Sequence, residues 1–219
     1  MYMDKKSETI AWGEHLPKYK VPTVLKETLL KPYFKSLIFE EPIIDLGCGT
    51  GYFSEIATKA GQKVLGIDKN GDLPNGANFT FQKQDILEFQ SRNLFNTILL
   101  INILSVESTA GREAVIKKIS EIIAENGLAY ILTTSSKLFT LPTNSDLISF
   151  NKVTEDKAHL KVKLVDGAYI EFDDYIVSEE ETRKQIAESG LEIIEEKEFQ
   201  HPDMNRPVYI LYIVKKIKN

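Results

Sequence analysis

The chain has 219 residues and a mass of 24.9 kDa, with 27 Lys+Arg against 32 Asp+Glu for a formal net charge of −5 at pH 7; this fits one globular domain, expected to span residues 1–219. Its single cysteine, Cys48, excludes an internal disulfide and a cysteine-based zinc centre, and the four scattered arginines of an acidic chain disfavour a nucleic-acid partner. The longest apolar run, 98–106, contains Asn102 and Ser105 and is far shorter than the ~20 residues of a membrane span, and the first residues lack a signal-like apolar segment, so a cytoplasmic protein away from membranes is expected.

Residues 1–41 read as a helical lid. Thr23–Lys31 has helical character, Pro32 is placed to open a second helix, and Trp12, Leu16, Tyr19, Val24, Leu25 and Leu29 must cover apolar surface. From Pro42 onward, β-rich runs alternate with helical ones. Pro42–Leu46, Lys63–Asp68, Asn78–Lys83, Phe95–Asn102 and Gly127–Thr134 read as strands. Thr50–Ala60, closed by Gly61, and Ala110–Ala124, with Ser108 or Thr109 as cap, read as crossover helices. The alternation predicts an α/β fold on a parallel sheet. Only 69–77 separate the second and third strands, so the usual crossover helix there must be reduced or absent. Beyond Thr134, Leu160–Val165 and Ala168–Phe172 flank Asp166-Gly167, which predicts a hairpin with a type I′ turn. Ser178 and Glu181 form a capping box for a helix that stops at Gly190; Leu191–Phe199 and Val208–Lys215 then read as an antiparallel pair.

One motif carries chemistry. Ile43-Ile44-Asp45-Leu46-Gly47-Cys48-Gly49-Thr50-Gly51 sets a glycine loop between the first strand and its helix. Such a loop lets backbone approach a ligand that a Cβ would repel, at a helix N-terminus with N–H groups to offer, so a nucleotide-like ligand is implied. The spacing is D-x-G-x-G-x-G. The dinucleotide pattern G-x-G-x-x-G would need glycine at 52, where Tyr52 stands, which disfavours a nicotinamide oxidoreductase. A second acidic residue, Asp68, ends the next strand in Gly66-Ile67-Asp68, 68 − 45 = 23 residues after Asp45.

On these residues the chain resembles the class I S-adenosylmethionine-dependent methyltransferases, in particular the small-molecule branch, over most of its length. The resemblance implies a Rossmann-like seven-stranded, mostly parallel sheet with an antiparallel last strand, helices on both faces, an N-terminal helical lid and an inserted β-hairpin. It implies a division into a lid (1–41), a cofactor-binding half (42–134), a substrate-lid insertion (135–177) and a C-terminal helix and strand pair (178–219). Asp45, Gly47, Cys48, Gly49 and Gly51 would hold the methionine end of the cofactor, with Asp45 on its ammonium. Asp68, with Lys69 beside it, would accept both ribose hydroxyls, as a bidentate carboxylate suits a cis-diol. Asp85 and Ile86 would take the adenine, though Asp85 equally suits a helix cap before Leu94. Ile101 at the end of the fourth strand and Tyr19 in the lid would complete the cofactor pocket, and Trp12 resembles a second closing aromatic. The implied cofactor is S-adenosylmethionine, with S-adenosylhomocysteine as product and no metal.

The fourth strand runs into Ile101-Asn102-Ile103-Leu104-Ser105. It lacks the prolines that exocyclic-amine nucleic-acid methyltransferases carry there, and the only cysteine sits in the glycine loop, where it cannot serve cytosine-C5 chemistry. The implied activity is methyl transfer to an O, N or C atom of a small-molecule acceptor, by a monomer or homodimer. The alternatives are a non-catalytic binding module or an RNA or protein methyltransferase. No catalytic residue is obligatory, since the cofactor supplies the electrophile. Should a base be used, His15 in the lid and Glu107 after the fourth strand are placed for it; His159 and His201 receive no role.

Overall fold

Strand patterning dictates a covered sheet. In β1 (Ile43–Leu46), β4 (Phe95–Ile101), β5 (Ile123–Thr134) and β10 (Tyr209–Lys216), successive side chains alternate in direction and both directions are apolar. Ile43, Leu99, Leu132 and Leu211 join one buried cluster, and Ile44, Ile98, Ile131 and Ile210 the other. The computed structural model describes residues 22–70, 73–140 and 145–217. With β2 (Val64–Asp68), β3 (Phe79–Lys83) and β9 (Leu191–Phe199), these strands form a seven-stranded sheet among the described residues, in the order β3-β2-β1-β4-β5-β10-β9. The neighbours from β3 to β5 pair in parallel, and β10 runs antiparallel to both β5 and β9.

Helices cover both faces. On one side lie α1 (Lys31–Ser36) and α2 (Tyr52–Lys59), which bury Phe34, Phe53 and Ala57. On the other lie α3 (Thr109–Ile122) and α4 (Glu179–Glu188), which bury Val115, Ile116, Ile119 and Ile186. Ser108 caps α3 by accepting the Gly111 amide at 3.3 Å, and Ser178 caps α4 by accepting that of Glu181 at 3.4 Å. Arg112 and Glu181 join these two helices at 3.3 Å.

Local details depart from the sequence expectations. Pro32 stands in the first turn of α1, as expected, but that helix is continuous with the run before it. The turn before it, Lys26–Leu30, is a π-turn in which the Lys31 amide reaches the Lys26 carbonyl, and one helical run passes through the proline. A proline offers no amide to the fourth carbonyl behind it, and widening the preceding turn accommodates that loss. No described residue between Asp68 and Phe79 is helical, yet β2 and β3 pair in parallel. Asp85 caps no helix; its Oδ1 accepts the Leu87 amide at 2.9 Å in an isolated turn.

The inserted segment is larger than a hairpin. β6 (Ile148–Lys152), β7 (Lys157–Lys163) and β8 (Tyr169–Tyr175) form a second, antiparallel sheet. Its turn is not type I′, because only Gly167 adopts positive φ (+89°) while Asp166 does not. The Gly167 amide donates to the Leu164 carbonyl at 3.0 Å and the Leu164 amide to that of Ala168 at 2.8 Å. This is the three-residue hairpin loop with left-handed glycine, which leaves Asp166 in ordinary backbone space.

Candidate active site

The carboxyl ends of β1, β2, β4 and β5 open onto one cavity of about 460 Å³, where the strand order reverses between β1 and β4. Open α/β sheets bind ligands at such a switch point. Asp45, Gly47, Cys48, Gly49, Asp68 and Lys69 line it. Asp85, Ile86, Ile101 and Glu107 line it too, whereas Gly51 caps α2 with φ +75° behind the wall.

The glycine loop is tied to β2. The amides of Gly47 and Cys48 both donate to the Ile67 carbonyl, at 2.7 and 3.0 Å, and that of Gly49 donates to Asp68 Oδ2 at 2.9 Å. These three amides are spent inside the loop, so at these positions what it offers a ligand is space. Gly47 shows why: its φ is +70°, and a Cβ there would stand 2.1 Å from Ile103 Cδ1. The Asp68 carboxylate also accepts the Asn70 amide, through Oδ1 at 2.7 Å. A backbone donor on each oxygen fixes the plane of the carboxylate.

Asp45 is 2% exposed and accepts the Ser54 hydroxyl at 2.6 Å. Burial outweighs that bond and pushes its carboxyl up to about 6. Burial likewise holds the Lys26 ammonium below its usual value, against the pull of Asp174 and Asp45. The Cys48 thiol is pushed up by burial and then by the two carboxylates, which leaves it an unreactive filler beneath the loop.

At the ends of β2 and β3, Lys69 Nζ lies 3.7 Å from Asp85 Oδ2. Glu107 belongs to this neighbourhood: burial raises its pKa, Lys69 opposes the rise and Asp85 adds to it. Asn102, just past β4, holds φ +59° while its amide donates to the Leu132 carbonyl at 2.8 Å. Its Oδ1 faces the cavity without a hydrogen-bond partner among the described residues. A non-glycine residue kept in that region next to a site is strain held by its surroundings.

The inserted sheet roofs the cavity. Its inward register puts Leu160, Val162, Ile170 and Phe172 on the cavity side, while His159 and Lys161 point outward. His159 pairs there with Asp173 at 2.7 Å, away from the cavity. His201 accepts the Asp203 amide in the loop before β10 and does not line the cavity. Asp174, Lys26, Ser105 and Tyr209 also line it, and sequence reasoning missed them as site residues. A signal for one was present: in the alternating run 170–174 the inward positions read Ile, Phe, Asp, so Asp174 interrupts an apolar face. His15, Trp12 and Tyr19 lie outside the described residues.

A family model described as a methyltransferase domain matches residues 18–196. Among solved structures, a S-adenosylmethionine-dependent methyltransferase from Clostridium acetobutylicum ATCC 824 is 17% identical, with 99% of this chain and 93% of that one covered and a TM-score of 0.59. The CcbJ methyltransferase from Streptomyces caelestis is 12% identical over 99% and 100% of the two chains, with a TM-score of 0.68. The 1,6-didemethyltoxoflavin-N1-methyltransferase from Burkholderia thailandensis, solved with 1,6-didemethyltoxoflavin and S-adenosylhomocysteine, is 13% identical over 80% and 71%, with a TM-score of 0.56. At these identities the likeness concerns the fold.

Proposed function

This chain belongs to the methyltransferase domain family, the class I S-adenosylmethionine-dependent enzymes, and on that premise we propose that it methylates a small molecule held between the glycine loop and the inserted sheet. The observation that carries the reading is the continuity of the cavity. One space of about 460 Å³ runs from Asp45 and Asp68 to the apolar face of β7 and β8, within the range of roughly 300–1,000 Å³ typical of small-molecule sites. The Burkholderia relative, solved with a small heterocycle beside its cofactor product, supports the same substrate class.

The residues present fit the cofactor. When bound, it supplies a methyl group on a sulfonium, an electrophile that needs only an aligned nucleophile. Asp45, short of compensation for its buried charge, is placed to take an ammonium, and its ionised form gains from the pairing. Asp68 is the carboxylate that would accept adjacent hydroxyls, its orientation set by the Gly49 and Asn70 amides. Asp85 and Ile86 offer a carboxylate and an apolar wall for a purine, with Lys69 beside them. Gly47 and Gly49 leave the room, and Ile101 and Cys48 fill the floor. Glu107, which lines the same cavity with Lys69 and Asp85 as its electrostatic neighbours, is the described candidate for a base should one be used.

The test is calorimetric titration of S-adenosylhomocysteine, followed by a coupled assay for homocysteine release across a metabolite panel. Micromolar binding and turnover of a small acceptor are expected. Silence across the panel together with turnover on an RNA or a protein would overturn the small-molecule assignment.

A further inference from the structure

The roof contains one side chain that its apolar surroundings do not explain. Asp174 sits on β8 in the inward register shared by Ile170 and Phe172, and it is 4% exposed. Its Oδ1 has no hydrogen-bond partner among the described residues. Its cross-strand neighbour is Ala158, the smallest residue of the inward face of β7, so nothing from that strand covers the carboxyl. A buried carboxyl oxygen without a donor, on a sheet face that is otherwise apolar and lines a cavity, is a group that a donor on a ligand would satisfy.

The groups around it supply few donors. The Ser105 hydroxyl donates toward the carboxyl, and Lys26 acts on it through space while also acting on Asp45. Asp173 adds like charge from the outer face, and the buried Tyr209 hydroxyl is engaged with Thr23. Two buried carboxyl groups thus share Lys26, and Oδ1 is the oxygen of Asp174 without a hydrogen-bond partner among the described residues.

The geometry points to Asp174 as the recognition group for the methyl acceptor, which is an apolar molecule carrying an N–H or O–H donor that meets Asp174 Oδ1 under the roof. This rests on the methyltransferase reading above and names its substrate class. Leu160, Val162, Ile170 and Phe172 would enclose the apolar body, and Asp174 would orient its polar end, the division of labour usual in small-molecule pockets.

The test uses three probes of one shape: benzylamine, benzyl alcohol and ethylbenzene. Each is titrated into the ¹⁵N-labelled chain saturated with S-adenosylhomocysteine, with amide shifts followed in 157–163 and 169–175. The amine or the alcohol is expected to bind at least tenfold more tightly than ethylbenzene, and whichever leads identifies the donor. Asp174→Leu should reverse the order in favour of ethylbenzene, and Asp174→Asn should lose the amine while keeping the alcohol. Both variants should still bind S-adenosylhomocysteine, with any change in affinity following the release of Lys26 toward Asp45. Equal affinity of the three probes for the wild-type chain, or an unchanged order in Asp174→Leu, overturns the proposal, and the first result needs no variant to fold. Failure of the methyltransferase reading would show separately, as no binding of S-adenosylhomocysteine to the wild-type chain.

Discussion

Thr23 pairs with Leu164 as an antiparallel bridge, and the Val165 amide donates to the Pro22 carbonyl at 3.1 Å. The segment that leads into the first helical run is therefore a fourth partner of the inserted sheet, and the two regions that roof the cavity are stitched to each other. Val165→Pro isolates that stitch. Position 165 is the first central residue of the hairpin turn, where proline is well tolerated, so the turn should survive while the bond to Pro22 is lost. Faster amide exchange at 23–26 and earlier proteolytic cleavage near residue 22 are expected, with global stability changed by less than about 1 kcal/mol. Unchanged exchange at 23–26 would show that the stitch does not hold the segment.

Asp68→Ala removes the acceptor of the Gly49 and Asn70 amides together with the carboxylate offered to a diol. Two charge-assisted hydrogen bonds are worth about 3 kcal/mol, so affinity for S-adenosylhomocysteine should fall by about two orders of magnitude. Asp85→Ala removes a half-exposed carboxylate held in a 3.7 Å pair with Lys69 and should cost about tenfold or less. Calorimetry on both variants checks the order; a larger loss at Asp85 than at Asp68 would refute it.

Gly47→Ala tests the cradle. A Cβ would meet Ile103 Cδ1 at 2.1 Å, in a backbone conformation with φ +70° that alanine adopts poorly. A stability loss of about 2 kcal/mol and weaker cofactor-product binding are expected in denaturant and calorimetric titrations. Gly76→Ala, where a Cβ meets nothing within 4 Å, should be close to neutral and serves as the control.

Burial of Asp45 makes the protein's stability depend on pH. The folded carboxyl titrates at about 6, above its ordinary 3.8. Between those values the folded state holds more protons than the unfolded one, so stability is lost as pH rises through that window and is level above it, with a total of about 3 kcal/mol from this group. Asp174, also raised by burial, acts in the same direction. The melting temperature of the wild-type chain, taken relative to that of Asp45→Asn, should therefore fall between about pH 4 and pH 7, and a difference that rises across that window would contradict the assignment.

Ile170→Ser separates the two ends of the cavity. Ile170 lines the roof and makes no contact with the glycine loop in sequence or register. Affinity for S-adenosylhomocysteine should stay within twofold, while KM for any acceptor found in the panel should rise about tenfold, as expected for loss of one buried aliphatic contact.

Much of the fold is written in local pattern. Alternating apolar runs with Gly61 and Ser108 at helix boundaries suffice for the α/β order, and Asp45, Gly47 and Asp68 mark one end of the cavity, because a strand-end carboxylate and a close backbone approach leave signatures at short range. That no described residue between β2 and β3 is helical is equally plain, since the residues between Asp68 and Phe79 are too few. Pro32 marks a helix start but not the π-turn that joins it to the run before. Asp166 misled because its local preference has two solutions, and a three-residue loop needs left-handed backbone at Gly167 alone.

The acceptor end could not be read in the same way. Asp174, Lys26, Ser105 and Tyr209 come from the inserted sheet, the first helical run, the turn after β4 and the last strand, and each is ordinary in its own neighbourhood. Periodicity shows which face of β8 carries Asp174, but the Ala158 pairing that uncovers its carboxyl depends on strand register, and the missing partner depends on everything packed around it. The sequence by itself determined the family and the residues proposed to hold the cofactor, because those constraints act within a strand and its following turn. Only the tertiary structure decided which side chains line the far end of the cavity, because burial and hydrogen-bond satisfaction are properties of the assembled surroundings and not of any one segment.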